Sequence, residues 1–230
     1  MKKKIDPREI YADIKVRAPL VVRADGRGFN KLLRKAQKPY DIGFAQSLTR
    51  AARSIFQDSG LGPILAFTFS DEVNFLFMKV PFNGRLEKLD SVVASALSSA
   101  LSLEMGRAVS MDARAIPLCP GEIADYLSER QDEAWRNCVF SYGFYALIDE
   151  GRRPREAMEH LRGIKERDIH EMLFLRGTNL AKKPAWQRRG ILIYREAKEV
   201  LERWDPPLFG SDEGRQLIQQ IITGRYSHEP

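Results

Sequence analysis

Two short apolar stretches that each end in an acidic turn constrain the fold of this chain most strongly. The first runs from Pro19 to Ala24, is rich in β-branched residues, and is followed by Asp25 and two nearby glycines. The second runs from Ile64 to Phe69 and is followed by Ser70-Asp71-Glu72 and a further apolar stretch. Runs of this kind are typical of buried strands. The chain is therefore expected to form a sheet with carboxylates where its strands reach the surface.

Two segments with helical periodicity alternate with the predicted strands along the chain. Ile42 to Gln57 has apolar residues at helical spacing, and Leu86 to Gly106 is rich in Ala, Ser and Leu. With strands over Val73 to Val80 and Val109 to Leu118, the order is β-α-β-β-α-β. This order predicts an α+β protein with a ferredoxin-like, palm-like antiparallel sheet. Both helices are expected on one face of the sheet, with the other face free for substrate.

The remainder of the chain is predicted to be mainly helical. One helix is expected to reach about Asn137, and a second to run from Val139 to Asp149. Shorter helices are expected over residues 155–161, 165–175 and 215–222, with a short strand from Gly190 to Tyr194. We therefore predict a palm-like catalytic core over residues 1–137 and a mainly helical region over residues 138–230, packed together as one compact unit.

Composition narrows the class of partner and the compartment. The 230 residues carry a net charge of +6 and have a pI of about 9.3, which favours a polyanionic partner. Two cysteines are too few for a disulfide framework or a zinc site. No apolar run approaches the ~20 residues that span a bilayer. Residues 1–7 lack the apolar segment of a signal peptide, so a cytoplasmic location without membrane contact is expected.

The acidic turns predict a magnesium site. Magnesium prefers oxygen ligands and keeps several waters, so Asp25, Asp71 and the carbonyl of Gly26 form a suitable set. Glu72 follows Asp71 directly; in a regular strand it would face the other way, whereas in a turn it can still contribute to the site. Structural roles remain open at this point, because Asp-Gly is a common turn dipeptide and Ser70-Asp71 can simply shape a hairpin.

Basic residues near the turns predict a phosphate-binding environment. Arg can bind two phosphate oxygens at once, whereas Lys offers a point charge. The alternative for each is solvated surface charge, except for Arg23, which lies in an apolar strand and needs a partner there. There is no P-loop and no dinucleotide-binding glycine pattern. The candidate cations on or near the predicted acidic turns are Arg23, Arg27, Lys38, Lys88 and Arg114.

An ordered set of motifs resembles the tRNA-His guanylyltransferase family, and in particular its archaeal, bacterial-type branch of guanylyltransferase-like proteins. The matches run in order over roughly residues 8 to 195. They are the Arg-x-Asp-Gly-Arg-x-Phe run at 23–29, Lys38-Pro39-x-Asp41, Ser70-Asp71-Glu72, Val92-Val93-Ala94-Ser95, Met111-Asp112-Ala113-Arg114, Arg130-Gln131-x-x-Ala134-Trp135-Arg136-Asn137 and Glu171-Met172-Leu173-Phe174.

The resemblance implies a palm used for nucleotide addition in the 3′-to-5′ direction at the 5′ end of tRNA, after activation of that end with ATP or GTP. It implies that Asp25, the Gly26 carbonyl and Asp71 hold two Mg²⁺ ions, supported by Glu72. It also implies self-association, usually as a tetramer. The residues that the resemblance assigns to the nucleotide and its triphosphate are Arg23, Arg27, Gly28, Phe29, Lys38, Ser70, Lys88 and Arg114.

Two departures from the family pattern concern the tRNA end. Val139 to Tyr145 stands where the eukaryotic enzymes carry His-Ile-Asn-Asn, and Ile169 stands where the family has a lysine. Both departures favour templated addition, such as repair of 5′-truncated tRNA, over strict addition of one guanosine to tRNA-His. The helical region is the expected tRNA-binding and oligomerisation region. Its candidate tRNA contacts, with one on the preceding helix, are Arg136, Arg152, Arg153, Arg155, Asn179, Lys182, Lys183 and Arg188.

Two alternative functions use the same predicted fold. A palm-type nucleotide cyclase would need the two acids but no RNA surface, and the basic helical region argues against it. A non-catalytic tRNA-binding module would keep the palm as a scaffold only. The presence of both Asp25 and Asp71 argues against that function, because an inactive scaffold has no physical need for both carboxylates.

Overall fold

A six-stranded antiparallel sheet is the centre of the molecule, which is represented by a computed structural model that describes residues 8–57 and 59–224. The expectation for residues 1–7 lies outside this described part. The strands are β1 (Leu20–Gly26), β2 (Leu65–Phe69), β3 (Glu72–Phe77), β4 (Met111–Pro117), β5 (Ile191–Glu196) and β6 (Glu199–Arg203). Their order across the sheet is β4-β1-β3-β2-β5-β6. The first four strands therefore have the ferredoxin-like arrangement predicted from the sequence.

The helices follow the predicted pattern closely and add two short segments that the sequence did not predict, α1 and α7. They are α1 (Phe29–Leu32), α2 (Ile42–Gln57), α3 (Leu86–Met105), α4 (Ile123–Asp149), α5 (Pro154–Leu161), α6 (Glu166–Leu175), α7 (Ala185–Arg189) and α8 (Asp212–Thr223). In the described part of the chain, none of them has the length and hydropathy needed to cross a membrane.

Helices α2 and α3 cover one face of the sheet, as predicted. Val22 and Phe75 point to this side and are fully buried, and they pack with Leu48 of α2 and Leu97 of α3. Alternate residues of a strand point to opposite faces, so this side uses every second position of β1 and β3.

The opposite face is covered over much of its area, so the expectation of a free face is wrong. Val21 and Phe67 point to this side. They pack there with Leu127 of α4, with Ile218 of α8 and with Phe209, which precedes α8. The reason is visible in Leu20-Val21-Val22 of β1 and Leu65-Ala66-Phe67 of β2, where three consecutive residues are apolar and therefore need cover on both faces. At the end of the sheet where β1 stops, Asp112 and Arg114 of β4 are exposed.

Helix α4 is continuous from residue 123 to 149, so the two helices expected on either side of residue 138 are one. No glycine or proline interrupts Asn137-Cys138-Val139, and the helical ladder therefore continues. Its first half packs on the sheet, and its second half forms a separate core with α5 and α6 that includes Leu147 and Leu173. The predicted division after residue 137 falls inside this helix and stays a prediction. Strands β5 and β6, from the later region, extend the sheet.

Candidate active site

The pairing of β1 with β3 brings the two acidic turns together. Asp25 is directly opposite Glu72 in this pairing, and Asp71 lies in the tight turn immediately before β3. A Cβ atom added to Gly26 would lie 2.7 Å from Asp71 Oδ2 and would overlap the Phe29 ring. Only glycine therefore fits at this position, and its backbone passes directly beside the Asp71 carboxylate.

The local environment of Asp71 disfavours its negative charge, as is expected of a carboxylate that binds a cation. Burial raises its pKa, and the negative charges of Asp25 and Glu72 raise the pKa further. The Ser70 hydroxyl, which donates to Asp71 Oδ1 at 3.1 Å, opposes this effect. Ser70 has a positive φ of 51°, because the turn between β2 and β3 is short enough to require a left-handed residue.

The donor set at this position fits Mg²⁺. In residues 8–57 and 59–224, no three or more His, Cys, Asp or Glu side chains converge as metal ligands. What converges is the pair Asp25 and Asp71 beside the Gly26 backbone, and this set offers oxygen donors only. Magnesium binds through one or two carboxylates and completes its shell with water and phosphate oxygens, which matches such a set. A cation would also relieve the repulsion that raises the pKa of Asp71.

Glu72 takes part in a buried polar network rather than facing the solvent beside the other two acids. It forms two hydrogen bonds with Arg130 of α4, Nε to Oε1 at 2.9 Å and Nη2 to Oε2 at 2.7 Å. Asn74 Nδ2 donates to Glu72 Oε1 at 2.7 Å, and Tyr126 donates to Asn74 Oδ1 at 2.7 Å. This network joins α4 to the acid end of β3 and occupies both carboxylate oxygens of Glu72.

Three of the predicted cations lie at the acid end of the sheet. Arg23 is paired in register with Arg114 of β4, and its Nε lies 3.9 Å from Asp25 Oδ2. That Nε is buried and has no hydrogen-bond partner in the described chain. Arg114 pairs with the exposed Asp112 at 3.1 Å. Arg27 is exposed, and its backbone N–H donates to the carbonyl of Ser110.

A cavity of about 710 Å³ opens beside the acids. Ser70 and Asp71 form one part of its wall, Lys38 another, and Tyr145 and Trp186 line the side formed by α4 and α7. This volume is within the range of small-molecule sites, and its walls combine aromatic rings with a few polar groups. The cavity therefore has the size, charge and wall chemistry for a nucleotide beside a metal site.

Tyr40 contributes a buried polar group to the wall of this cavity. It lines the cavity and stands edge-on to Trp186, with ring centroids 5.7 Å apart. Burial raises the pKa of Tyr40 well above its usual value and raises that of the neighbouring Cys138 thiol to about 12. Both groups are therefore neutral at physiological pH.

Lys38 and the loop after β1 lie on the opposite wall. Lys38 Nζ donates to the Leu33 carbonyl at 2.9 Å and lies 5.8 Å from the centre of the Tyr145 ring. Gly28 has a φ of 72°, which lets the chain turn from β1 into α1. Phe29 is buried and packs edge-on against Phe44, and its ring lies directly beside Gly26.

Lys88 lies at the other end of the sheet, away from the acids. Strand β3 runs away from Asp71, so α3, which follows it, begins at the far end. The Leu86 N–H donates to the Ile14 carbonyl before β1 begins, and Lys88 Nζ stacks 5.0 Å from the centre of the Phe82 ring. The predicted order of elements did not reveal the position of Lys88, because the direction of β3 determines which end of α3 lies near the acids. The structure does not bring Lys88 to the triphosphate-binding candidates of its own chain.

The candidate tRNA contacts fall into two groups. Those on α4 and α5 are compensated by neighbours: Arg136 pairs with Glu133, Arg153 with Glu156, and Arg155 with Glu159. Arg152 lies next to His160, with Nη1 and Nδ1 3.5 Å apart, and the side chain of Asn179 caps a short turn by accepting from the Ala181 N–H.

The second group borders the main cavity. Lys183 Nζ lies 5.0 Å from the centre of the Tyr142 ring, and Arg188 Nε donates to the Lys183 carbonyl at 3.0 Å. Lys182 is exposed on the same turn. Tyr142 donates to Gln187, whose side chain lines the cavity, so this basic turn lies at the cavity edge.

Sequence reasoning missed several residues that build the site. Arg130 and Asn74, which hold Glu72, and Trp186, which lines the cavity, were not singled out for these roles. Asn74 carried a detectable signal, because a polar residue inside the apolar run of β3 needs a buried partner. Trp186 carried none, because α7 reaches the cavity only through the tertiary packing of α4 against α7.

The structure so far defines an α+β protein with a carboxylate pair beside a nucleotide-sized cavity. Comparison with known proteins narrows this class. The family model described as tRNAHis guanylyltransferase matches residues 3–126, and the Thg1 C terminal domain model matches residues 121–221. The chain belongs to the tRNA-His guanylyltransferase family, as its motifs predicted.

Individual relatives agree with this assignment. The tRNA(His) guanylyltransferase of Schizosaccharomyces pombe is 29% identical over 218 residues, covering 88% of this chain and 83% of the relative. A probable tRNA(His) guanylyltransferase of Dictyostelium discoideum is 31% identical, covering 77% of this chain and 75% of the relative. A bacterial guanylyltransferase-like protein solved in complex with ATP superposes with a TM-score of 0.80 at 25% identity, covering 94% of this chain and 96% of that chain.

Proposed function

We propose that this chain is a magnesium-dependent nucleotidyltransferase that adds nucleotides in the 3′-to-5′ direction to the 5′ end of tRNA, as in the repair of 5′-truncated tRNA. The observation that carries the proposal is that Asp71, which lies beside the Gly26 backbone and near Asp25, lines the 710 Å³ cavity. The bacterial neighbours were solved in complex with ATP and with GTP, which supports the same nucleotides as substrates here.

Asp25, the Gly26 carbonyl and Asp71 would hold two Mg²⁺ ions, which would polarise phosphate oxygens and neutralise the charge that develops on them. Lys38 supplies a positive charge on the cavity wall, and Arg23 supplies a guanidinium beside Asp25. These groups bind and orient a triphosphate so that the attacking hydroxyl and the 5′ phosphate meet in line.

The walls of the cavity position the base of the nucleotide. Tyr145 and Trp186 offer aromatic faces on which any base can stack, and stacking by itself does not distinguish between bases. Base pairing with the opposite tRNA strand can then select the added nucleotide, as in templated addition. This division of labour explains why the protein needs no base-specific pocket of its own.

Self-association, usually as a tetramer, and a cytoplasmic location complete the proposal. Phe174 and Leu175 at the end of α6 are 55% and 76% exposed, and large apolar side chains of this kind favour contact with another chain. Size-exclusion chromatography with light scattering tests the tetramer, and a monomer at micromolar concentration contradicts it.

A labelled-nucleotide assay tests the proposed activity. The protein is incubated with Mg²⁺, ATP, a labelled nucleoside triphosphate and a tRNA that lacks its first 5′ nucleotide. Asp25→Asn and Asp71→Asn are each expected to lower the addition rate by at least ~100-fold, because each removes a charged metal ligand. Asp112→Asn is the matched control, since Asp112 lies in register with Asp25 but pairs with Arg114.

The outcomes separate the candidate functions. Absence of label at the 5′ end, with tRNA still bound by the wild-type protein, would leave only the non-catalytic binding module. Conversion of ATP or GTP to a cyclic product without tRNA would establish the cyclase. Addition that ignores the base opposite the vacant position would contradict templating, and near-normal addition by Asp71→Asn would refute the metal assignment.

A further inference from the structure

A second cavity, of about 440 Å³, lies on the outer side of the loop that follows α1. Four exposed cations surround it, and we call them together the basic groove: Lys31, Arg34, Lys35 and Arg107. Lys31 lies in α1, Arg34 and Lys35 lie in the stretch after it, and Arg107 lies in the turn after α3. The Arg107 guanidinium donates to the Leu32 carbonyl and so ties the two sides of the groove together.

The charges of the basic groove are not compensated. Within the described chain, none of its four cations has a carboxylate within ion-pair distance. Asp41 is the single acid on its walls, and the two oxygens of Asp41 accept from the backbone N–H groups of Gln37 and Phe44. These bonds lower the pKa of Asp41, so it stays ionised as a helix cap, and within the described chain it forms no ion pair with the four cations.

An acid close in the chain to Arg107 also has a partner. Glu104, close to the end of α3, pairs with Arg50 at 2.6 Å. The arginines of α4 and α5 that the sequence suggested as tRNA contacts contrast with the groove, since Arg136, Arg153 and Arg155 each have a glutamate partner. A polyanion therefore gains more from the basic groove than from those helices, because it does not have to displace existing ion pairs.

The basic groove adjoins the candidate active site. Leu33, Ala36, Asp41 and Phe44 line both the groove and the 710 Å³ cavity, so the two are separated by one layer of residues. Both lie at the end of the sheet that carries Asp25 and Asp71. An RNA strand whose 5′ end reaches the acids would continue past this layer.

We propose that the basic groove binds the sugar-phosphate backbone of the tRNA next to its 5′ end. This inference rests on the proposed function. Three of its cations lie at exposed positions within five residues of chain, and the fourth, Arg107, lies on a separate turn. This spread suits successive phosphates better than one small anion. Contacts of this kind set the register of the RNA without reading its sequence.

Binding measurements at several salt concentrations test the inference. The groove variant carries Lys31→Ala, Arg34→Ala and Lys35→Ala; Arg107 is kept because it holds the loop. A matched control variant loses three exposed arginines that have carboxylate partners and do not line the groove, namely Arg167, Arg176 and Arg215, each replaced by alanine. Both variants lower the net charge by three, so non-specific attraction changes equally.

The groove variant is expected to lose about three phosphate contacts. The slope of log K against log salt should then become shallower by roughly 2 to 3, and affinity for 5′-truncated tRNA near 0.15 M salt should fall by about 100-fold. The control variant should bind within a few-fold of the wild type. A third variant with Lys31→Arg, Arg34→Lys and Lys35→Arg should restore the slope, because it keeps the charges.

Three results overturn the inference. Equal loss of tRNA affinity in the groove and control variants would show that only net charge matters. Unchanged tRNA affinity in the groove variant, with weaker binding of pyrophosphate or ATP, would assign the groove to a small phosphate ligand. Failure of the wild type to bind tRNA would refute the groove together with the proposed function, whereas binding without nucleotide addition would refute the proposed function alone.

Discussion

The buried ion pair between Glu72 and Arg130 offers the sharpest test of how the site is supported. Glu72 lies beside the carboxylates that would bind metal, but both of its oxygens are used by Arg130 and Asn74. We predict that Glu72→Gln acts mainly on stability. The substitution keeps the size of the side chain, removes its charge, and leaves the guanidinium of Arg130 without a counter-charge in a mostly buried position.

The size of the effect follows from the burial of the pair. The side chains of Glu72 and Arg130 are 9% and 18% exposed, and their closest atoms are 2.7 Å apart. Removing one partner of a buried pair costs about 3 to 5 kcal/mol, and residual solvent contact places this case near 3. Arg130→Met should cost a similar amount. The double variant should cost about 2 kcal/mol less than the sum of the two, because neither charge is then left alone.

Urea unfolding followed by circular dichroism measures these free energies, with slopes compared between variants. The exposed pair Glu133–Arg136 on the same helix is the matched control, with side chains 35% and 52% exposed and an N–O distance of 2.6 Å. Glu133→Gln should cost less than about 1 kcal/mol. If Glu72→Gln cost no more than Glu133→Gln, or if the double-variant cycle showed additivity, the structural role assigned to Glu72 would be refuted.

Two further predictions concern stability elsewhere. Burial raises the pKa of Asp90 to about 6, so the folded protein loses stability when Asp90 ionises. Asp90→Asn should therefore stabilise the protein by about 1 kcal/mol more at pH 7 than at pH 4, a value reduced for partial solvent contact. A difference in urea unfolding that does not depend on pH would contradict this prediction. Gly190→Ala places a Cβ 2.5 Å from the Phe67 ring and 2.8 Å from the Thr68 carbonyl at a φ of 72°, and should cost at least ~2 kcal/mol. Gly177 has a similar φ of 79°, but no atom lies within 4 Å of an added Cβ, so Gly177→Ala should cost only the backbone strain of about 1 kcal/mol. Equal losses of stability in the two variants would show that the contacts of the new Cβ with Phe67 and Thr68 are relieved.

Local patterns in the sequence were sufficient for most elements of the fold. The apolar runs before Asp25 and Asp71 are strands, and the helical periodicity of Ile42 to Gln57 matches α2 residue for residue. Turn chemistry located the acids at strand ends, since Gly26 and Ser70 lie where the chain must change direction. These signals depend on neighbouring residues in the chain, and such signals survive any packing arrangement.

Properties that depend on packing between distant segments were not predictable in this way. The sequence suggested a free face, yet Phe67 and Leu127 meet across it because α4 returns over the sheet. Lys88 was expected near the acids, but the direction of β3 places it at the far end. The sequence placed Arg130 in a motif but did not predict its partner, because its contact with Glu72 depends on how α4 packs against β3.

The two acidic turns show where the boundary between sequence and structure lies. The sequence alone determined that carboxylates stand at the ends of buried strands beside basic residues, because residue type and spacing encode strand, turn and charge. Long-range packing was needed to bring Asp71 beside the Gly26 backbone, to pair Glu72 with Arg130, and to form the aromatic cavity next to Asp71. Those relations depend on strand register and on the path of α4, which are set by long-range packing.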